Sequence, residues 1–454
     1  MEVSGKKILI MGAARSGVAA SKFLSGHGAQ VILTDVKPVD AMQNVQKEVE
    51  VLGIETIWGE QPNIKKINPD FIVVSPGIPL TIPPLVEAAQ NQIPVLSELE
   101  LAYRFSRAPV IAVTGTNGKT TTTALVGQLF QDSGRNVIIG GNIGKPLISD
   151  VEGLTAQDLI VAEVSSFQLE GTIDFKPRVA IILNITPDHL DRHGTMDAYR
   201  SIKAQIYKNQ AEEDILILNY DDPLVKKLSR GAKSHVIFFS RRNKLEEGIY
   251  LLDGNLVINI GEGPVPICSP AEINIKGSHN LENAMAAIGA AYILGLQPEG
   301  IKKTLVNFPG VPHRLELVTE LKGIKFINDS KGTNPDASIK ALEAFNEPLV
   351  LIAGGRNKGS DFLEFAVRIK EKVKELVLVG EAAPEIKKAV LEKGFRLTNI
   401  HEAADYHEAV KKAYNLAVLG DIVLLSPACA SFDMFDNFEE RGNVFKELVL
   451  QLRG

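Results

Sequence analysis

The clearest structural signal in this chain lies at residues 110–122, which read Val110-Ile111-Ala112-Val113-Thr114-Gly115-Thr116-Asn117-Gly118-Lys119-Thr120-Thr121-Thr122. A run of apolar and β-branched residues leads into two glycines, a lysine and three threonines. This order is typical of a buried β-strand, a tight turn and the first turn of a helix. Apolar residues at 125, 129 and 130 give that helix a face to bury. The pattern predicts a strand–loop–helix unit.

The turn in this unit has the composition of a phosphate-binding loop. Gly115 and Gly118 let backbone N–H groups face an anion, Lys119 can reach terminal phosphates, and Thr120 can ligate Mg²⁺. The general pattern places a glycine five residues before Gly118, where this chain has Val113. The loop is therefore a contracted variant. A glycine-rich turn with an incidental lysine is the alternative interpretation.

Short β-branched runs, each followed by a helical stretch, recur along the chain at 7–11, 31–35, 71–75, 110–115, 159–163, 179–184, 349–355, 376–380 and 422–426. Such runs predict parallel sheets of the α/β class. Breaks near 97–109 and 308–313 predict three domains, at residues 1–97, 98–310 and 311–454. We expect Rossmann-like outer domains. We expect the central domain to be of the P-loop type, with a mostly parallel sheet and a small antiparallel sheet near 250–275.

Composition excludes several classes of protein. The chain has 454 residues, a formal net charge of −6, 45% hydrophobic residues and only two cysteines. The negative net charge argues against a protein that binds nucleic acid through an overall positive charge, and the hydrophobic content argues against disorder. Two cysteines exclude a disulfide scaffold and suit a reducing compartment. We expect a cytoplasmic monomer that acts on small molecules, with neither nucleic acid nor a membrane as partner.

Polar residues that follow two strands of the central domain are candidates for a magnesium site. Glu163 ends one predicted strand, and Asp188 and His189 follow the next. The carboxyl ends of parallel strands meet at one edge of a sheet, so Glu163 and His189 should converge on the phosphates held by Lys119. Mg²⁺ prefers oxygen ligands, which favours a place for His189 beside the metal. A hydrogen-bonded loop histidine is the alternative.

A helix after this loop carries a further lysine. Tyr199, Ile202 and Ile206 fall at helical spacing and predict a core face. Lys203, four residues after Tyr199, lies close to that face, although a surface lysine is the simpler interpretation.

The N-terminal segment Gly12-Ala13-Ala14-Arg15-Ser16-Gly17 follows a predicted strand, and Asp35 ends the next strand. This arrangement is similar to a dinucleotide-binding fingerprint. Ala14 replaces the second glycine, which normally lets the backbone approach a pyrophosphate. A nicotinamide-dependent dehydrogenase is therefore disfavoured.

Taken together, the motifs of the central region resemble those of the Mur ligase family, which joins amino acids to the cell-wall precursor of bacteria. The resemblance rests on residues 115–121, 163–168, 184–193, 199–203, 277–284, and His313 with Arg314. Three C-terminal segments, 328–335, 354–359 and 426–433, resemble the members that add D-glutamate to UDP-N-acetylmuramoyl-L-alanine. Arg356 departs from the acidic residue expected from some relatives, and no role is transferred to it.

The resemblance implies an ATP-dependent ligase that works through an acyl phosphate and a tetrahedral intermediate and releases ADP and phosphate. It implies two Mg²⁺ ions, with Thr120, Glu163, His189 and Lys203 as metal site and Lys203 carboxylated to a carbamate. The implied catalytic residues are Lys119, Glu163, His189 and Lys203.

The resemblance also implies three sets of binding residues. For ATP these are Gly115, Thr116, Asn117, Gly118, Lys119, Thr120, Thr121, Asn280, His313, Arg314 and Asp329. For the UDP substrate they are Arg15, Ser16, Asp35, Val36, Gly77, Asn142, Ser165, Gln168 and His189. For D-glutamate they are Lys331, Thr333, Lys358, Ser431 and Phe438. From the sequence alone, Asn280 could equally cap a helix, and Lys358 could be a solvated loop lysine.

Two other functions compete with this one. Another amino-acid ligase, of the Mur or folylpolyglutamate type, would use the same chemistry, although a folate enzyme would not need a nucleotide-type N-terminal domain. A nucleotide-binding switch could use the Lys119 loop without forming an amide.

Overall fold

The computed structural model describes residues 1–261 and 263–452. The chain forms two compact units, one of Met1–Ile273 with Glu282–Asn307 and one of Asn274–Leu281 with the chain from Phe308 onwards. The predicted central domain includes residue 262, and the predicted C-terminal domain includes residues 453 and 454, which lie outside the described residues. The division at residues 97 and 310 stays a prediction.

The first unit begins with a five-stranded parallel sheet in the order β3-β2-β1-β4-β5. Its strands are β1 Lys7–Met11, β2 Gln30–Asp35, β3 Glu55–Trp58, β4 Phe71–Val74 and β5 Val95–Ser97. The helices are α1 Arg15–Gly26, α2 Val39–Glu50, α3 Ile64–Ile67, α4 Pro83–Gln90 and α5 Glu98–Phe105. The sequence did not indicate β3, because this edge strand is only partly buried and carries little apolar patterning.

The second sheet of this unit has nine strands in the order β14-β13-β12-β11-β10-β9-β6-β8-β7. They are β6 Val110–Thr114, β7 Val137–Gly141, β8 Leu159–Glu163, β9 Val179–Ile182, β10 Ile215–Asn219, β11 His235–Ser240, β12 Gly248–Leu252, β13 Asn255–Asn259 and β14 Pro264–Cys268. The strands from β6 to β12 pair in parallel, and β13 and β14 add antiparallel pairs. The expected antiparallel strands therefore extend the central sheet and do not form a sheet of their own.

The helices that accompany this sheet are α6 Lys119–Asp132, α7 Ser166–Glu170, α8 Leu190–His193, α9 Met196–Ala204, α10 Pro223–Lys226, α11 Ser278–Ile293 and α12 Pro298–Asn307. Strand β6 lies between β8 and β9. The loops that follow these three strands therefore share one edge of the sheet, as the sequence predicted.

The second unit contains a six-stranded sheet in the order β15-β16-β20-β17-β18-β19, in which only β15 is antiparallel. The strands are β15 Glu316–Leu321, β16 Ile324–Asn328, β17 Leu349–Ala353, β18 Val373–Val379, β19 Ile400–Ala403 and β20 Ile422–Leu425. The helices are α13 Pro335–Glu343, α14 Leu363–Lys372, α15 Ala383–Glu392, α16 Tyr406–Leu416 and α17 Phe438–Gln451. Two apolar clusters cover the two faces of this sheet, as parallel strands require. Among the described residues, no helix combines the length and apolar character needed to span a bilayer.

A buried carboxylate, Glu98, begins α5 and is 1% exposed. Its Oε1 accepts a hydrogen bond from the N–H of Ile148 at 2.8 Å. Its Oε2 has no hydrogen-bond partner among the described residues. Burial raises the pKa of Glu98 from 4.5 to about 7. The ionised form is therefore costly in the folded protein.

We expect Glu98→Gln to flatten the pH dependence of the free energy of unfolding. The pKa of Glu98 is higher in the folded state than in the unfolded state, so the wild type is favoured at low pH. It should lose on the order of 2–4 kcal/mol as the pH rises through the folded pKa. Glutamine does not ionise and keeps an acceptor for Ile148. Urea unfolding from about pH 5 to about pH 8 measures the slope. The exposed control Glu55→Gln should keep the wild-type slope, and a wild-type slope in Glu98→Gln would contradict the prediction.

Candidate active site

The phosphate loop, residues 115–118, joins β6 to α6. Gly118 precedes the helix with φ 86°, in the left-handed region that favours glycine. A Cβ on Gly118 would lie 2.3 Å from Oδ1 of Asn283, so no side chain fits there without displacing that group. The glycine backbone of the loop thus leads directly into the N-terminus of α6, an arrangement suited to an anion.

Lys119 folds back over this loop. Its Nζ donates to the carbonyl oxygens of Gly115 at 3.0 Å and Thr116 at 2.8 Å. Thr120 and Thr121 follow in the first turn of the helix and are buried. A lysine and a hydroxyl at these positions suit terminal phosphates and a divalent cation.

Two pairs of hydrogen bonds fasten the phosphate loop to the segment after β9. The N–H of Asn117 donates to Oδ1 of Asn184 at 2.8 Å, and Nδ2 of Asn184 donates to the carbonyl of Asn117 at 3.0 Å. Thr116 Oγ1 donates to the carbonyl of Thr186 at 3.1 Å and accepts from its N–H at 3.0 Å. Asn184 and Thr186 belong to a predicted motif, but their role in bracing the loop depends on the pairing of β6 with β9 and was not predicted.

Glu163, at the end of β8, is 2% exposed. Its Oε1 accepts from Nδ2 of Asn142 at 2.9 Å, and its Oε2 has no hydrogen-bond partner among the described residues. A buried carboxylate oxygen without a donor is costly unless a cation or a ligand satisfies it. Asn142 thus contacts the proposed metal ligand as well as being a predicted substrate residue.

Lys203 is buried, and the interpretation of it as a surface lysine is wrong. Its side chain is 1% exposed, and its Nζ donates to the carbonyl of Gly115 at 2.9 Å and lies 4.5 Å from the centroid of the Tyr199 ring. Burial, followed by the nearby charge of Lys119, lowers the pKa of Lys203 well below its usual value. This shift favours the neutral, nucleophilic form of the amine more than in an exposed lysine.

His189 has a left-handed backbone conformation, with φ 51°. Its Nε2 lies 3.6 Å from Oδ2 of Asp188, and its ring meets Phe167 edge to face at 4.9 Å. His193 is more deeply buried, and burial lowers its pKa. The electrostatic effects on Lys203 include the charges of Asp188 and Glu163, so both carboxylates lie near the buried amine.

The donor set fits magnesium. Among the described residues, no group of three or more His, Cys, Asp or Glu side chains is arranged to hold a metal ion. Magnesium usually takes only one or two carboxylates and completes its shell with waters and substrate phosphates. The orphaned Oε2 of Glu163 and the hydroxyl of Thr120 suit such a site.

In the N-terminal part of the first unit, a cavity of about 580 Å³ lies at the carboxyl edge of the five-stranded sheet. Five predicted substrate residues line it, namely Arg15, Ser16, Asp35, Val36 and Gly77. The structure thus brings together these residues from three separate strand ends. Asp35 Oδ2 accepts from the N–H of Ala13 at 2.9 Å, which holds the loop before α1 in place.

Two other predicted substrate residues cap a helix. The N–H of Ser165 donates to Oε1 of Gln168 at 3.0 Å, and the N–H of Gln168 donates to Oγ of Ser165 at 3.3 Å. This reciprocal pair is a capping box at the start of α7. It accounts for both residues structurally and leaves their role toward a substrate as a prediction.

In the second unit, His313, Arg314 and Asp329 form a cluster. Asp329 Oδ2 accepts from Oγ of Ser426 at 2.7 Å. Burial raises the pKa of Asp329 to about 6, against the lowering effect of Arg314. Nε of Arg314 is buried without a hydrogen-bond partner among the described residues. Nδ2 of Asn328 donates to Nδ1 of His313 at 3.0 Å.

Asn280, the fourth predicted nucleotide residue of the second unit, lies in the first turn of α11 and is 4% exposed. Its Nδ2 donates to the carbonyl of Lys276 at 2.8 Å. The side chain is thereby fixed to the segment that enters the helix.

The predicted D-glutamate residues follow β16, β17 and β20, which are neighbours in the sheet. Nζ of Lys331 lies 5.0 Å from the centroid of the Phe438 ring. Ser431 is buried, Thr333 is half-buried, and Lys358 is exposed. The structure therefore gathers the set at one edge and leaves Lys358 in a solvated loop, consistent with either interpretation of that lysine.

Arg441 and Arg356 complete this edge. Arg441 is 0% exposed and donates to Oγ and the carbonyl of Ser330 at 2.9 and 2.7 Å and to the carbonyl of Cys429 at 3.1 Å. Its role could not be predicted from the sequence, because a charged residue on a helix usually faces solvent. Arg356 forms a fork with both carboxylate oxygens of Glu381, at 3.0 and 2.9 Å, which orders the loop after β17.

Comparison with known proteins defines the class to which this fold and site belong. Three family models match in order: a MurD-like Mur ligase N-terminal domain at residues 6–97, the Mur ligase middle domain at 113–291, and the Mur ligase glutamate ligase domain at 313–429. The chain belongs to the Mur ligase family.

Within this family the similarity is to one kind of enzyme. The chain is 52% identical over 448 residues, 99% of this chain and 98% of the relative, to UDP-N-acetylmuramoylalanine--D-glutamate ligase of Pelotomaculum thermopropionicum. It is 49% identical over 453 residues, all of both chains, to the enzyme of the same name from Thermoanaerobacter sp..

Two solved structures share the fold. UDP-N-acetylmuramate-alanine ligase from Thermotoga maritima aligns with a TM-score of 0.61 at 21% identity, over 98% of this chain and 100% of that one. A pseudomurein peptide ligase type C from Methanothermus fervidus aligns with a TM-score of 0.60 at 20% identity, over 99% and 100%. The expected α/β fold with Rossmann-like and P-loop-type parts is confirmed.

Proposed function

We propose that this protein is the ATP-dependent ligase that adds D-glutamate to UDP-N-acetylmuramoyl-L-alanine during synthesis of the peptidoglycan precursor. The identity of 52% over almost the whole length of a D-glutamate ligase carries this proposal. The braced phosphate loop, the orphaned Glu163 carboxylate and the buried Lys203 at one sheet edge support it.

The chemistry follows from the properties of the reacting groups. A carboxylate resists attack by an amine, so the substrate carboxylate takes the γ-phosphoryl group of ATP and becomes an acyl phosphate. Lys119 and the backbone N–H groups of the phosphate loop offset the negative charge that this transfer brings together. The amine of D-glutamate then attacks the activated carbonyl, and the tetrahedral intermediate collapses to an amide and phosphate. ADP is the other product.

In this proposal, residues of the first unit form the metal site beside the phosphates. Thr120 and Glu163 would hold Mg²⁺, which would supply charge neutralisation at the phosphates, and His189 would act beside them. Lys203 is proposed to react as a neutral amine with CO₂, which forms an N–C bond and releases a proton. The resulting carbamate would add two negative oxygens for a second Mg²⁺.

Three groups of residues bind the substrates in this proposal. Arg15, Ser16, Asp35, Val36 and Gly77 hold the uridine diphosphate, and Asn142, Ser165, Gln168 and His189 hold the remainder of that substrate. Asn280, His313, Arg314 and Asp329 bind the nucleoside part of ATP. Lys331, Thr333, Lys358, Ser431 and Phe438 bind D-glutamate, whose two carboxylates need cations and donors.

We further propose that the protein is a cytoplasmic monomer with three domains, 1–97, 98–310 and 311–454. Both cysteines are buried and free, which supports a reducing compartment. The small-molecule substrates require no macromolecular partner.

The function is tested by phosphate release from ATP in the presence of UDP-N-acetylmuramoyl-L-alanine and single amino acids. We expect release to require D-glutamate and the product to gain the mass of one glutamyl residue. L-Glutamate, L-lysine, diaminopimelate and L-alanine should give background rates, because the reaction needs the stereochemistry and the second carboxylate that the pocket accepts.

The other outcomes distinguish the alternatives. Turnover with another amino acid would keep the ligase chemistry and contradict the proposed D-glutamate pocket. ATP binding without amide formation under any condition would favour a nucleotide-binding switch or a folate-type ligase.

A further inference from the structure

Glu170, the last residue of α7, binds two basic side chains from α8. Its Oε2 accepts from Nη2 of Arg192 at 2.6 Å, and its Oε1 lies 3.5 Å from Nδ1 of His193. The three side chains are 13%, 16% and 1% exposed. A largely buried ion pair of this kind fixes orientation more than it adds stability.

Arg192 extends this contact to the wall of the N-terminal cavity. Its Nη1 donates to the carbonyl of Gly77 at 3.3 Å, and its Nη2 donates to the carbonyl of Ile78 at 3.1 Å. Both of those residues line the cavity of about 580 Å³. The planar guanidinium, which also lies over the Phe167 ring at 4.9 Å, can hold a carboxylate and two carbonyls at once. A lysine ammonium does not match that geometry.

His193 extends the contact in the other direction, to the phosphate loop. Its ring stacks on Tyr199 with centroids 5.1 Å apart, and its Nε2 lies 3.0 Å from Oγ of Ser166. Tyr199 in turn places its hydroxyl 3.4 Å from Oγ1 of Thr116 and its ring beneath Nζ of Lys203. An unbroken series of contacts therefore runs from Glu170 to both the phosphate loop and the buried lysine.

We propose that Glu170 is a positioning residue that couples the cavity for the UDP substrate to the phosphate loop, through Arg192 on one side and His193 on the other. This inference rests on the proposed function for the identity of the two ligands. Glu170 itself is not proposed to contact a substrate, and it acts only through Arg192 and His193. Arg192 fixes the carbonyls of the cavity wall, and His193 fixes the aromatic ring on which Lys203 lies.

The test uses three variants of the full chain. Arg192→Lys keeps the positive charge but loses the planar, forked guanidinium. Glu170→Gln removes the carboxylate that contacts both Arg192 and His193, and the double variant combines the two changes. Glu213→Gln is the matched control, because it removes the acid of an ion pair with Lys176 at 2.9 Å that is more exposed and shares no residue with these contacts. The measurements are kcat, KM for each substrate, the Kd for UDP by calorimetry, and the thermal midpoint.

We expect Arg192→Lys to raise KM for the UDP substrate and the Kd for UDP on the order of tenfold, with kcat within about twofold of wild type. Glu170→Gln should show the same rise and, in addition, a fall in kcat on the order of tenfold. The double variant should raise KM no more than either single variant, because both changes break one connection. The control should match wild type in every quantity.

Two results would overturn the proposal. One is KM, kcat and the Kd for UDP all within twofold of wild type in folded Arg192→Lys and Glu170→Gln. The other is a lower thermal midpoint with unchanged KM and kcat, which would give Glu170 a purely structural role. If Glu170→Gln does not fold, Arg192→Lys decides the question alone. A wild type that binds UDP but forms no D-glutamyl product would contradict the proposed function, while the calorimetric comparison would still test the coupling.

Discussion

Lys203→Ala is expected to lower kcat of the ligase reaction on the order of 10²–10³-fold. The lysine is 1% exposed and contacts the phosphate loop directly through the carbonyl of Gly115. A protonated amine at this place would repel Mg²⁺, whereas a carbamate would attract it. Burial lowers the pKa of Lys203, which favours the neutral amine that can react with CO₂. Initial rates of phosphate release measure the loss.

Two comparisons separate the carbamate from a merely structural lysine. Wild-type activity should fall in CO₂-depleted buffer and return on addition of bicarbonate, whereas Lys203→Ala should respond to neither treatment. Lys226→Ala is the matched control, because Nζ of Lys226 also lies over a tyrosine ring, at 3.5 Å from Tyr220, but is exposed. That variant should keep wild-type kcat. Normal activity of Lys203→Ala would exclude the proposed role.

The second large effect is expected for Gly118→Ala, which should reduce kcat/KM for ATP by about 10²-fold or more. The substitution places a Cβ at φ 86° and 2.3 Å from Oδ1 of Asn283. Either the loop or Asn283 must move, and both displacements alter the surface that receives the phosphates. Initial rates at varied ATP concentration measure the effect, and calorimetry with ATP measures the loss of binding.

Gly134→Ala is an internal control for backbone strain. Gly134 also has φ 86°, and a Cβ there would meet nothing within 4 Å. Both variants share the left-handed backbone cost of about 1 kcal/mol, but only Gly118→Ala crowds the phosphate loop. Gly134→Ala should therefore lose some stability and no activity. Equal activity in the two variants would contradict the assignment of residues 115–118 to phosphate binding.

Several elements could be predicted because their signals are local. Strands β1 and β8 begin and end where the apolar runs predicted, since each run is buried along its length and ends at a polar or glycine-rich turn. The sequence did not indicate the edge strand β3, and it predicted the extension β12–β14 less accurately. Partly exposed strands form only in the context of the strands beside them. The resemblance to Mur ligases likewise rested on contiguous motifs.

Among the active-site candidates, too, residues with a local sequence signal were predicted and residues that depend on tertiary packing were not. Gly118 and Lys119 were identified from the phosphate-loop pattern alone. Glu170 was not identified, because a lone glutamate at the end of a short helix has no distinctive spacing. Arg441 was missed for a similar reason, as its complete burial follows from the packing of α17 against the loops after β16 and β20.

The amino-acid order alone establishes the α/β class, the phosphate loop and the family, because hydrophobic periodicity, glycine and adjacent functional groups act over a few residues. Tertiary structure decides which side chains lose water and which find partners. Lys203 becomes a buried amine because the fold places it against the carbonyl of Gly115, which is 88 residues away in sequence. Arg192 donates to the carbonyls of Ile78 and Gly77 in the cavity wall, which are 114 and 115 residues away in sequence. Burial and charge at such distances depend on the folded arrangement of strands, so they cannot be obtained from local patterns.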